Sequence, residues 1–155
     1  MMSLNDLIAP QAVIASLKAN SKKQALIELS EKAAELSGID SREVLDALIQ
    51  RERLGSTGIG GGIAIPHGKL AKCTRIFGVF ARLEKPIDFE ALDDAPVDLI
   101  FLLVAPENAG ADHLNALSRA ARVLRDQSLV TTLRSTRDPS ALYSILVRSP
   151  TPNAA

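Results

Sequence analysis

Apolar residues recur along this chain with two periods, and the change between them divides it. Ala25, Leu26, Leu29, Ala33 and Leu36 lie at helical spacing. The capping-box form Ser21-Lys22-Lys23-Gln24 precedes them and Gly38 follows, which predicts a helix between those limits. A second helix starts at Asp40 or Ser41, with Glu43 in its first turn, and ends by Leu54. Its predicted buried face is Val44, Leu45, Leu48 and Ile49. After a glycine-rich stretch the pattern turns to short apolar runs: Ile63–Pro66, Arg75–Leu83, Pro86–Phe89 and Val97–Ala105. The last is almost continuously apolar, as in a strand covered on both faces. Pro86–Phe89 reads as a short edge strand, where a missing N–H is tolerated.

The helical period returns over Ala111–Arg125, with Leu114, Leu117, Ala121 and Leu124 as the expected core stripe. Gln127–Leu133 forms another short helix. Asp138-Pro139 reads as an N-cap with proline at the first helical position, and Leu142, Ile145 and Leu146 face inward from the helix that follows. At the start, residues 4–17 read as a short helical or irregular entry and then a strand near Val13–Leu17. The tail Ser149–Ala155 is expected to fray. Helices flank strands at both ends of this order, so the class is α/β or α+β, a mixed sheet covered by helices. No repeat, low-complexity stretch or linker interrupts it, and 1–155 reads as one domain.

Composition narrows the setting. Hydrophobic residues are 46% of 155, enough for a real core. Lys plus Arg is 18 and Asp plus Glu is 18, so there is no basic footprint for nucleic acid. One cysteine, Cys73, excludes an internal disulfide and fits a reducing compartment. Its own reading is a small buried side chain. The opening MMSLNDLIAP lacks a basic segment and carries Asp6, unlike a signal peptide. The apolar runs are too short to span a bilayer. The expectation is a cytoplasmic protein without membrane insertion.

Candidate chemistry is concentrated in Arg51–Lys69, RERLGSTGIGGGIAIPHGK. Within it, five of the nine glycines fall in eight positions, Gly55, Gly58, Gly60, Gly61 and Gly62. A glycine run can bring bare backbone N–H groups to an anion. Pro66 then fixes the chain direction, and His67 is expected in a turn bounded by Pro66 and Gly68. An imidazole at a strand end beside such a loop suits chemistry on a phosphoryl group. The same residues also fit a glycine-rich turn with a surface histidine, and spacing leaves both readings open. Nucleotide motifs fail. Gly68-Lys69 is followed by Leu70 and preceded at the P-loop position by Ile63; G-x-G-x-x-G meets Ile63 or Ile65; and Leu54 stands where a nucleophile elbow before Ser56 needs glycine.

The stretch resembles the enzyme IIA domain of the phosphoenolpyruvate-dependent phosphotransferase system, mannitol/fructose type. Arg51-Glu52, Ser56-Thr57-Gly58, Gly62 to Gly68 (GIAIPHG), Pro96 to Phe101 (PVDLIF) and Asp112-His113-Leu114 carry the resemblance, which runs over roughly Leu4 to Leu146. A free-standing domain of this size is most similar to the nitrogen-regulatory branch. The resemblance implies an α/β fold: a single domain with a mixed sheet of about five strands flanked by helices. It also implies a phosphotransferase-type phosphocarrier with a phosphohistidine intermediate. His67 would be the nucleophile and His113 the second active-site histidine that helps hold the phosphoryl group. The donor would be a histidine phosphocarrier protein. Regulated partners of the branch include sensor kinases and potassium transporters. Alternatives within the fold are a sugar-specific component passing phosphate to a IIB domain, and a non-catalytic partner-binding module.

Imidazole chemistry sets the remaining expectations. One ring nitrogen of His67 must be unprotonated, and the other must carry hydrogen held by an acceptor. Phosphoryl transfer then needs in-line positioning and charge stabilisation. Candidates for the latter are the glycine-loop N–H groups, His113 at a helix start, and Arg51, whose planar fork suits phosphate oxygens. Thr57 is a candidate hydroxyl donor to phosphate, while Ser56 serves the loop. Arg53 and Glu52 read as helix-end charges, and Asp98 is unassigned. A metal site needs three or four ligands, and two distant histidines without H-E-x-x-H or C-x-x-C do not supply them. No metal or cofactor is expected.

Overall fold

The computed structural model describes residues 4–148; the tail expected to fray, Ser149–Ala155, lies outside them. The strands are β1 (Val13–Leu17), β2 (Gly58–Gly60), β3 (Ile63–Ala64), β4 (His67–Leu70), β5 (Phe77–Ile87) and β6 (Val97–Pro106). The helices are α1 (Leu4–Leu7), α2 (Lys22–Ser37), α3 (Ser41–Glu52), α4 (Ala111–Val123), α5 (Gln127–Ser135) and α6 (Pro139–Val147). A 3₁₀ turn at Pro10–Ala12 leads into β1.

The apolar run at 97–106 is the middle of the sheet. Leu99 to Ala105 are all at most 1% exposed. β5 pairs antiparallel along one side of β6, and β1 pairs parallel to β5 beyond it. Along the other side of β6 lie β3 and β4, both parallel to it, with β2 antiparallel outside β3. The result is one mixed six-stranded sheet flanked by helices. The count exceeds the expected five because the apolar run after the glycines divides. Ile63 pairs with Leu99 and His67 with Leu103 in one continuous register. Pro66 interrupts it because it has no N–H for the ladder, although its carbonyl accepts from Leu103 N at 2.9 Å.

Caps follow the sequence closely. The Ser21 side chain accepts from Gln24 N, Asp40 from Arg42 N, and Asp138 from Ala141 N. Gly38 closes α2 in the left-handed conformation. Two apolar patterns fold differently from expectation. Arg75–Leu83 and Pro86–Phe89 contribute to one strand, β5, whose register shifts between Arg82 and Ile87 to accommodate Pro86. Helix α4 is rotated relative to its leucines: His113, Ala116, Ala120 and Val123 are buried, and Leu114 is 67% exposed. The small alanines let α4 approach the sheet; of the expected stripe, Leu124 is buried, Leu117 and Ala121 pack partly against the core, and Leu114 faces outward.

Candidate functional site

Pro66 is where the site begins. Beyond it the chain rejoins β6, so His67 opens strand β4 and is not confined to a turn. Gly68 follows, and a Cβ there would sit 3.1 Å from Ala47 Cβ on α3. Glycine therefore lets α3 pack close to β4. Arg51, one helical turn beyond Ala47, then lies over the imidazole, and its Nε donates to His67 Nε2 at 3.1 Å. The same guanidinium is steadied by a bond from Nη1 to Gly55 O at 2.9 Å.

The other ring nitrogen, His67 Nδ1, lies 3.0 Å from Ile65 O. A carbonyl only accepts, so Nδ1 carries the hydrogen and Nε2 keeps its lone pair. The Arg51 donor on Nε2 demands the same tautomer. Burial pushes the His67 pKa below its ordinary 6.5. The Ile65 bond and Glu52 oppose that shift, and the charges of Arg51 and Lys69 reinforce it. The ring is thus held neutral with one nucleophilic nitrogen.

His113 comes from the first turn of α4, and its ring centroid is 5.4 Å from that of His67 at a 56° tilt. It is 5% exposed, and its Nδ1 has no hydrogen-bond partner. Burial lowers its pKa, as do the neighbouring His67 and Lys69. Gln50, Arg51, Leu54, Lys69, Leu114 and Leu117 line the cleft around the two rings. Leu54 is 84% and Leu114 67% exposed, so apolar side chains stand at the rim beside Gln50 and Lys69.

The glycine run lies elsewhere. It makes the turn between β2 and β3 and lies beside Asp98 at the start of β6, whereas His67 pairs with Leu103 further along that strand. Gly61 N donates to Asp93 at 3.0 Å. Arg134 binds both Asp98 oxygens through Nε, at 2.9 and 3.1 Å, and Gly61 O through Nη2. A Cβ at Gly62 would fall 2.3 Å from Arg134 Nη2, so glycine there makes room for the ion pair. The Gly61 N–H, one of those expected to cradle phosphate, serves a hairpin anchor, and Asp98 is part of it.

Thr57 is also away from the cleft. It is 5% exposed, and its hydroxyl donates to Glu52. Glu52, read from sequence as a helix-end charge, has a side chain only 7% exposed and pairs with Lys22 Nζ at 2.9 Å. No local pattern signals this contact, because Lys22 is thirty positions distant. Ser56 serves the loop, donating to Phe89 O at 2.8 Å and accepting from Gly58 N at 3.0 Å. Cys73 is buried, and that burial raises its pKa. Among the described residues no group of three or more His, Cys, Asp or Glu could hold a metal ion, and no helix is long and apolar enough to cross a membrane.

This pair of histidines with its arginine sits within a wider match. The family described as the phosphoenolpyruvate-dependent sugar phosphotransferase system, EIIA 2, matches residues 6–149. The chain belongs to that family. Within the EIIA 2 family it is 60% identical over 149 residues to a nitrogen regulatory protein of Bradyrhizobium diazoefficiens, across 96% of this chain and 97% of that one. The crystal structure of nitrogen regulatory protein IIA-Ntr from Neisseria meningitidis matches with a TM-score of 0.86 at 34% identity, covering 91% of this chain and 97% of that one. The mannitol enzyme IIA of Escherichia coli, solved in complex with phosphorylated enzyme IIB, shares the fold at a TM-score of 0.77 and 21% identity, covering 90% and 98%.

Proposed function

We propose that this EIIA 2 protein is a phosphocarrier of the nitrogen-regulatory kind. His67 accepts a phosphoryl group from a histidine phosphocarrier protein, and the phosphorylation state then governs partner proteins. One observation carries the reading: the Ile65 carbonyl holds Nδ1–H, while Nε2 faces Arg51 beside His113.

In the transfer, the Nε2 lone pair attacks phosphorus as the donor's nitrogen–phosphorus bond breaks. The electron pair of that bond returns to the donor's imidazole nitrogen. The Nδ1 proton stays in place, so the phosphorylated His67 ring is cationic and the Ile65 carbonyl stabilises it. Arg51 moves its donor from Nε2 to a phosphoryl oxygen. His113, neutral and with an unpartnered Nδ1, supplies a second donor at the helix start, where the dipole also favours an anion.

The nitrogen-regulatory reading rests on 60% identity across nearly the whole of both chains. The sensor-kinase and potassium-transporter class of partners comes with that reading. The phosphoryl group itself carries roughly −1.5 to −2 charge, offset in part by the cationic ring, and it enters a cleft with exposed leucines at its rim, which switches partner choice by charge and sterics without refolding. The test is incubation with phosphoenolpyruvate, the general phosphotransferase components and radiolabel. Wild type takes an acid-labile, base-stable label and His67→Ala takes none. Full labelling of the variant removes the assignment. Equal affinity of every recovered partner for both phosphorylation states leaves a simple relay.

A further inference from the structure

Two adjacent residues at the end of α3 grip the chain that follows at different points. Arg51 holds Gly55 O with Nη1 while its Nε reaches His67. Glu52 turns inward. One of its oxygens accepts from Thr57 N at 3.1 Å and from Lys22 Nζ at 2.9 Å, and the other accepts from the Thr57 hydroxyl. Lys22 lies 4.9 Å over the ring of Phe89, which is fully buried. A carboxylate this enclosed is costly unless charge-assisted donors satisfy it, and here three do.

Thr57 passes the constraint onward. Its carbonyl accepts from Ile65 N at 2.9 Å, and Ile65 O in turn holds His67 Nδ1. The Glu52–Thr57 contact therefore fixes both sides of the imidazole. Through Gly55 it sets where Arg51 meets Nε2, and through Ile65 it sets where Nδ1–H is held.

We propose that Glu52 and Thr57, braced by Lys22, are positioning residues that register Arg51 and His67 for phosphoryl transfer. This rests on the phosphocarrier reading above. None of the three touches the phosphoryl group. Thr57 acts through a hydroxyl aimed at Glu52, not at phosphate.

The test is Thr57→Val, which keeps the side-chain shape and removes only the hydroxyl, with Thr57→Ser as the conservative rescue. Transfer from the labelled phosphocarrier should slow about tenfold in kcat, the rate equivalent of one charge-assisted hydrogen bond. KM for the carrier should be unchanged, because Thr57 is buried away from the cleft rim. Thr57→Ser should return to within about twofold of wild type on the same scale. The Arg51 Nε–H resonance, followed by nitrogen NMR, should be protected in wild type and Thr57→Ser and exchange-broadened in Thr57→Val. If Thr57→Val does not fold, Lys22→Met carries the test with a smaller loss in the same direction. A folded Thr57→Val with wild-type kcat and an unchanged Arg51 signal overturns the proposal, as does equal loss in the Val and Ser variants. If wild type takes no phosphate, the phosphocarrier reading fails by itself, and the Arg51 signal alone decides the positioning claim.

Discussion

Replacing Arg51 by glutamine separates its part in transfer from its part in the fold. The side chain is half-buried and makes two hydrogen bonds, to His67 Nε2 and Gly55 O. Losing each costs about 0.5–1.5 kcal/mol of stability, since water replaces part of what is lost. In transfer the loss is larger, because a charge-assisted donor to the phosphoryl oxygens disappears. Such a bond contributes about 1.5–3 kcal/mol, and each 1.36 kcal/mol is tenfold in rate. The expected slowing is about 10- to 150-fold on that scale. The pH profile should move as well. Arg51 helps hold the His67 pKa below 6.5, so removing its charge raises that pKa and shifts the acid limb of the profile upward. Rapid-quench transfer from a labelled phosphocarrier between about pH 5.5 and 8.5 brackets that ordinary imidazole range and reads both effects. A transfer rate within twofold of wild type, with only the melting temperature lowered, would return Arg51 to a helix-end charge.

His113→Ala should leave the label on His67 but slow its arrival or shorten its life, as read by peptide mapping and a decay time course; phosphate mainly on His113 in wild type would reverse the roles. Both imidazoles have lowered pKa values in the folded chain, so the native state prefers them neutral. That stability is fully present above 6.5 and is lost as pH falls from there through the folded values. Urea melts should show a decline below pH 6.5 that is shallower in His113→Gln, before Glu84, Asp93 and Asp126 enter below their ordinary 3.8 to 4.5; a flat response contradicts the neutral assignment. Leu114→Ser should change stability by no more than about 0.5 kcal/mol while raising KM for the carrier, because the side chain is 67% exposed at the cleft; a core-sized drop in melting temperature would mean that Leu114 is packed.

Much of the fold is written locally. Ser21, Asp40 and Asp138 cap the helices they precede, and the nearly continuous apolar run after Pro96 is the covered central strand. The local pattern fails where a single tertiary contact outweighs it. Leu114 outscores the α4 alanines in hydrophobicity, but Ala116 and Ala120 fit against the sheet and Leu114 stands exposed. The glycine run has the composition of an anion loop, yet Arg134 and Asp93, both distant in sequence, make it a hairpin anchor. The two histidines and Arg51 were legible as chemistry-bearing residues, and the fold brings them together. Glu52 was not, because nothing in an Arg-Glu pair at a helix end says which side chain turns inward. The tautomer of His67 was not either, since it depends on the Ile65 carbonyl left at the Pro66 break.

The most direct measurement of the central claim is phosphorus NMR on protein phosphorylated enzymatically and labelled with nitrogen-15 in its histidine rings. Coupling between phosphorus and ring nitrogen reports which atom bears the group. The geometry predicts a single phosphate on Nε2 of His67 with the hydrogen retained on Nδ1 against Ile65 O. Phosphate on Nδ1 of His67, or on either nitrogen of His113, contradicts the account.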